Sequence, residues 1–254
     1  MDENERVSDS TEKYSGSRLP WSADDLRRAL LRRASFTRAG RRRRRSGEGI
    51  VHAGVSRRAV RRLGLRAAAG LVRGGGPPTA GALVNRLMQG LYHDEQILAI
   101  EILDRLADVW PLWAVETTAA LSRGLRHIWV ADRLAQVQGR LISRDPTLLG
   151  RHVQWAVSQS PLRRRAAALA LLPRRGPRGS RGVPAARAIP ILRLLLQDPE
   201  PHPWVQEGVG RALVHYAERA PRTIARLLRG DYENLSPRHL ARARSLLAGL
   251  SSAS

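Results

Sequence analysis

Residues 127–143 read HIWVADRLAQVQGRLIS, and their spacing decides the fold class. Val130, Leu134, Val137 and Leu141 recur at intervals of four, three and four, which makes one apolar stripe along an α-helix. At 100° per residue, Asp132 lies about 200° from Val130, on the opposite face, with Trp129 and Gln136 about one turn to either side. An indole and a carboxylate therefore share a surface that the stripe does not bury. Arg126, Arg133 and Arg140 are close in sequence, so the plainest reading of Asp132 from this pattern alone is a surface acid in helix salt bridges.

The same periodicity runs outward in both directions. Toward the C-terminus it predicts helices over 146–158, 161–172, 185–197, 204–219 and 236–249, with a short one opening at Pro221. Toward the N-terminus it predicts helices over 111–123, 94–108, 80–91 and 55–72. A further short helix follows Ser22, whose hydroxyl can cap a first turn holding Asp24 and Asp25. No segment alternates apolar and polar residues between hairpin turns, so no strand is predicted. Short paired helices broken by Pro or Gly suggest an all-α, HEAT-like solenoid over 21–250, continuous and without a clear internal boundary, whose inner face forms a concave groove. Residues 1–20 are polar and lack periodicity, which predicts a disordered tail. Basic loops are predicted near 40–49, around the run Arg41–Arg45, and at 173–184, and an exposed loop at Arg73-Gly-Gly-Gly-Pro-Pro78.

Charge narrows the choice of partner. The 254 residues carry 44 Lys and Arg against 22 Asp and Glu, a formal charge of +22, and every basic residue except Lys13 is arginine. Codon bias in a GC-rich genome accounts for arginine over lysine, but not for a twofold excess of base over acid. Nucleic acid, an anionic membrane surface and plain counterions are the candidates, nucleic acid first. The absence of cysteine excludes disulfides, thiolate zinc sites and cysteine nucleophiles. No stretch approaches the ~20 apolar residues of a membrane span, so a soluble cytoplasmic protein is expected, associated with the nucleoid when bound to DNA. There is no Gly-rich phosphate loop, no HExxH and no metal-like grouping of the seven scattered histidines, so neither cofactor nor metal is implied.

Two more helices carry a functional signal. That over 161–172 opens on Arg163, Arg164 and Arg165, which must fan around the helix; Arg164 falls opposite the stripe of Leu162, Ala166 and Leu169. That over 204–219 buries Val205, Val209, Ala212 and Tyr216, which leaves Trp204, Gly208, Arg211 and His215 on its other face. Basic, aromatic-bearing faces on successive helices suit a DNA backbone, with arginines on phosphates and indoles against sugars.

These helices are also where the chain resembles the DNA alkylation repair family, the AlkD-like HEAT-repeat alkylpurine DNA glycosylases. Over roughly residues 50 to 248 the motifs follow in the family's order. Val51-His-Ala-Gly-Val-Ser-Arg-Arg-Ala-Val-Arg-Arg62 is similar to its Gly-Val and Arg-bearing helix, and His93 to Leu103 to its acid-rich helix. Ile128-Trp-Val-Ala-Asp-Arg-Leu-Ala135 is similar to its tryptophan-rich segment ending in Val-Asp-x-Leu-Ala; Trp155 and Arg164 to Ala167 follow. Trp204 to Tyr216, then Leu235-Ser-Pro-Arg238, resemble its C-terminal helix and Leu-Ser motif. Two positions depart from the pattern: the family's tryptophan four residues before the aspartate is Ile128 here, and that of the C-terminal inner helix is Arg211.

The resemblance implies a glycosylase that excises N3- or N7-alkylated purines from duplex DNA. Asp132 stands at the family's catalytic carboxylate, and Arg164 or Arg165 at its DNA-contacting arginine. Trp129 and Trp204 are the expected replacements for the missing indoles. Arg211, Arg126, Gln136 and, on the N-terminal Arg-bearing helix, Arg61 complete the expected DNA-binding residues. The family works from its groove without flipping the base into a snug pocket, which admits bulky genotoxin adducts and a role in self-resistance to a DNA-alkylating natural product as well as base excision repair. A monomer without cofactor is expected. The alternatives are a non-catalytic HEAT-repeat DNA-binding protein, in which Asp132 is a surface acid, and a scaffold for an acidic protein.

Overall fold

A computed structural model of the chain describes residues 21–46, 49–174, 181–197 and 202–228, with positions 241, 245 and 248. The expected N-terminal tail, residues 175–180 of the basic stretch 173–184 and most of the expected helix 236–249 lie outside the described residues. Among those described, the fold is all-α, a helical-repeat architecture of twelve α-helices without a β-strand. None of these helices is long and apolar enough to cross a membrane. The chain forms two compact units, residues 1–109 and 110–254.

The first unit holds α1 (Ala23–Leu31), α2 (Phe36–Ser46), α3 (Arg57–Gly74), α4 (Gly76–Met88) and α5 (His93–Leu106). Ser22 caps α1 as its sequence suggests: its hydroxyl accepts the Asp25 N–H at 3.1 Å, and the Asp25 carboxylate accepts the Ser22 N–H at 3.0 Å. Helices α3, α4 and α5 pack on one another, with α1 against all three. The acid-rich start of α5 stitches the unit together. Asp94, buried, accepts the backbone N–H groups of Ala53 at 2.9 Å and Gly54 at 3.3 Å, and the Arg42 guanidinium at 2.7 Å. Glu95, also buried, takes Arg27 of α1 and the Tyr92 N–H. Gly54 is obligatory in this stitch, because its φ is +73° and a Cβ there would lie 2.3 Å from the Ser35 carbonyl oxygen.

Two expected loops are helical instead. The run Arg41–Arg45 lies inside α2, which continues to Ser46. Arginine is a good helix former, and Arg42 relieves the like-charge crowding by pairing with Asp94 and donating to the Val55 carbonyl. The stretch Arg73 to Pro78 shrinks to a joint at Gly75, with α4 starting at Gly76. Pro77 and Pro78 fall in the first turn of α4, where a helix needs no N–H donors.

The second unit holds α6 (Pro111–Arg123), α7 (Ile128–Arg144), α8 (Leu149–Ala156), α9 (Pro161–Ala170), α10 (Ala185–Leu196), α11 (Pro203–Ala217) and α12 (Pro221–Leu227). Its odd helices α7, α9 and α11 pack in succession, as do the even helices α8, α10 and α12, with α8 and α10 also against α9. Small residues set these spacings. Ala166, Ala167, Ala168 and Ala170 of α9 are fully buried, and a Cβ on Gly139 of α7 would lie 2.3 Å from the Ala170 carbonyl oxygen. Tyr216 of α11 closes the far end, its hydroxyl 2.9 Å from the Leu171 carbonyl and 2.7 Å from that of Val183.

Behind α9, the fully buried His152 of α8 holds its Nε2 3.0 Å from the Ala167 carbonyl. Burial, only partly opposed by this hydrogen bond, pushes the imidazole down from 6.5 to about 4. The unfolded chain then binds the extra proton first. His152 therefore costs the fold nothing above pH 6.5 and a growing amount between pH 6.5 and about 4, on the order of 3 kcal/mol at the end of that window. Denaturant unfolding from pH 7.5 to 4 will show this decline in the wild type and a flatter one in His152→Gln. Equal slopes for the two proteins would contradict it.

Candidate functional site

Helix periodicity turns Asp132 of α7 away from the stripe Val130, Leu134, Val137 and Leu141, all four of which are buried. Its carboxylate is held from another helix. Arg165 of α9 donates from Nε to Oδ1 at 2.7 Å and from Nη2 to Oδ2 at 3.0 Å, a two-pronged pair that fixes both oxygens. The Arg165 side chain is 3% exposed and that of Asp132 is 23% exposed, so the cation lies beneath and the carboxylate opens toward solvent.

Helix α11 supplies the other half of the site. Arg165 Nη1 donates to the Trp204 carbonyl oxygen at 2.9 Å and to Glu207 Oε2 at 2.9 Å. Gly208 permits the approach, since a Cβ there would already be 3.3 Å from both Arg165 Cγ and its carbonyl oxygen. Burial opposes the charge on Arg165, but the bonds and charges of Asp132 and Glu207 outweigh it and hold the guanidinium above its ordinary range. Arg211, one turn beyond Glu207, brings Nη1 to 4.0 Å from Asp132 Oδ2 with its side chain 48% exposed. The assembly thus joins one buried guanidinium to two solvent-facing carboxylates, with a second cation at the rim. A rigid, partly dehydrated anion of this kind can stabilise a cation placed against it.

Two comparisons with known proteins bear on this geometry. The sequence profile of a family described as DNA alkylation repair enzyme matches residues 26–247. The chain belongs to the DNA alkylation repair enzyme family. A solved structure described as a predicted DNA alkylation repair enzyme from Enterococcus faecalis is similar with a TM-score of 0.67 and 14% identity, covering 83% of this chain and 95% of that one. At that identity the likeness speaks for the fold. No curated protein matches the chain.

Within this DNA alkylation repair enzyme the remaining expected site residues fall in different places. Of the two candidate arginines, Arg165 meets the carboxylate. Arg164 folds back, its Nη1 2.8 Å from the Ser158 carbonyl and 3.0 Å from that of Gln159. Arg165, expected as a DNA contact, is turned inward with four of its five N–H donors engaged. Trp129 and Trp204 are 46% and 40% exposed, and the His202 ring lies tilted against that of Trp204, with centroids 4.7 Å apart. Gln136 is half-buried and accepts from Arg133; Arg126 is exposed just before α7. Arg61 is exposed on α3 of the first unit. Glu207 was not among the expected residues. Its signal is compositional: in a chain this basic, α7 and α11 each carry a single acid, Asp132 and Glu207, and both reach Arg165.

The burial difference separates the two cations at Asp132. Arg165→Met strands two carboxylates against a buried apolar side chain and will lower the unfolding free energy by about 3 kcal/mol. Arg211→Met removes only a long, exposed contact and will change it by less than about 0.5 kcal/mol. Urea denaturation of both variants decides this, and similar losses in the two would show that Arg165 does not hold the site together.

Proposed function

We propose that this DNA alkylation repair enzyme is a monofunctional DNA glycosylase that releases N3- or N7-alkylated purines, bulky adducts included, from duplex DNA. The observation that carries the reading is the Asp132 carboxylate, fixed at both oxygens by Arg165 yet open to solvent.

An N3- or N7-alkylated purine is cationic, so its glycosidic bond is already weak and the base needs no general acid to depart. When the C1′–N9 bond breaks, its electron pair passes to the purine, which leaves neutral. The positive charge moves to the sugar as an oxocarbenium-like state. Asp132 set against C1′ opposes that charge and orients the water whose oxygen bonds to C1′ and whose proton passes to bulk solvent, leaving an abasic site. Because Arg165 already fixes the carboxylate, no reorganisation is needed as the charge develops. No metal or cofactor enters this scheme.

The net charge of +22 supports recruitment of the phosphate backbone, with Arg211, Arg126 and Arg61 exposed for that task and Trp129 and Trp204 for the sugars. Arg164, near the start of α9, is assigned to the backbone beside the lesion. Ile128 and Arg211 at the family's two tryptophan positions support tolerance of large adducts, because a branched aliphatic and a flexible cation replace two rigid indoles. The same reaction serves base excision repair and, in a producer of a DNA-alkylating compound, self-resistance.

Duplexes carrying N7-methylguanine or a bulky N7-alkylguanine will release free base with the wild type. Asp132→Asn will slow release at least about 100-fold while duplex binding holds within about twofold. Tight, salt-sensitive binding without release from either adduct would instead identify a non-catalytic DNA-binding protein.

A further inference from the structure

Outside Asp132, the feature of the site that the reaction leaves unexplained is its second carboxylate. We propose that Glu207 is a positioning residue for Asp132, acting through Arg165: it locks the guanidinium that orients Asp132 and keeps the cluster negatively charged. The proposal rests on the glycosylase reading above.

The geometry supplies the lock. The Nε and Nη2 edge of Arg165 faces Asp132, while Nη1 is held at 2.9 Å by both the Trp204 carbonyl and Glu207 Oε2. A planar guanidinium bound along two edges has no freedom to rotate, so the carboxylate on its first edge inherits a fixed orientation. Glu207 can reach because Gly208 beside it lets α11 lie against the Arg165 stem.

Charge supplies the second half. A carboxylate paired two-pronged with one guanidinium is a neutral pair, and a neutral pair projects only a dipole toward an oxocarbenium-like sugar. Glu207 adds a second carboxylate to the same guanidinium, so the cluster of Asp132, Arg165 and Glu207 carries one net negative charge. The placement favours an outward field, because the cation is 3% exposed while the carboxylates are 23% and 47% exposed. Arg211 at 4.0 Å offsets this field weakly, since its side chain is 48% exposed and screened by water.

A purely structural ion pair makes the opposite forecast for one substitution. Glu207→Gln keeps an oxygen that accepts from Arg165 Nη1 and removes only the charge. The experiment is single-turnover release of base from an N7-methylguanine duplex at saturating protein, with duplex Kd and melting temperature measured alongside. The proposal expects Glu207→Gln to be slower by about tenfold, with Kd within about twofold and melting temperature close to wild type. Glu207→Ala, which also loses the lock, should be slower still, and Glu207→Asp should recover part of the rate. In an Arg165→Met background, where there is no guanidinium to lock, Glu207→Ala and Glu207→Gln should slow release to the same extent.

A wild-type rate in Glu207→Gln overturns the proposal, as does a rate loss matched by weaker binding, or a gap between Glu207→Ala and Glu207→Gln that persists undiminished in the Arg165→Met background. If the wild type releases no base, the glycosylase reading itself fails and the Glu207 role falls with it, an outcome distinct from a normal wild-type rate shared by Glu207→Gln.

Discussion

The contact on which the second unit's site depends is the Arg165 guanidinium, buried between α7 and α11 and bonded to Asp132 on one side and to Glu207 and the Trp204 carbonyl on the other. A lone guanidinium at 3% exposure would be too costly to desolvate. Two carboxylates and a backbone carbonyl repay that cost, and in doing so they fix the register of three helices. Moving α7 or α11 along α9 by one residue would break one arm and leave a buried charge unbalanced. The site and the packing of the odd helices are thus one constraint.

That constraint is met by what is missing from the neighbouring positions. Gly139 lets α7 reach the Ala170 carbonyl, Gly208 lets α11 reach the Arg165 backbone, and the alanines of α9 keep its own girth small. Larger side chains would add apolar burial but hold the helices apart, and the bonds from Arg165 to both sides would then be too long. Local packing has been given up for reach. The first unit uses the same device with a different cluster: Asp94 and Glu95 at the start of α5 gather Arg42, Arg27 and the 53–54 backbone, and glycines at 54 and 64 allow the close approach.

Most helices were legible because their apolar spacing is strong. The positions of α6, α7 and α11 follow within two residues from stripes such as Val130, Leu134, Val137 and Leu141. Composition misled where position mattered more. Arg41–Arg45 looks like a loop until Asp94, 52 residues beyond Arg42 in the chain, is placed beside it, and Gly-Pro-Pro looks like a break until the prolines fall in a first turn. At the site, Asp132 was legible from face and motif. The choice between Arg164 and Arg165 was not, because adjacent residues differ by about 100° on the helix and only the packing of α7 and α11 decides which one is enclosed. Glu207 was hidden by the ordinary look of an acid four residues before Arg211.

A protein of this charge faces two demands of opposite sign. Its arginines create the positive potential that draws in a polyanion, but that potential disfavours any reaction in which positive charge builds on the sugar. Distance and burial reconcile them. In the proposed binding mode exposed arginines act on phosphates through screened, salt-sensitive contacts, and their field at a given atom fades over about a Debye length. The charges nearest the proposed reaction centre are few, partly dehydrated and therefore strong for their number. Among them the buried cation is outnumbered by carboxylates, and the remaining one, Arg211, is free to exchange a 4.0 Å contact with Asp132 for a phosphate oxygen. In the proposed complex DNA binding would remove that weak offset, so that Asp132 would face the lesion with its negative charge least offset when the substrate is in place.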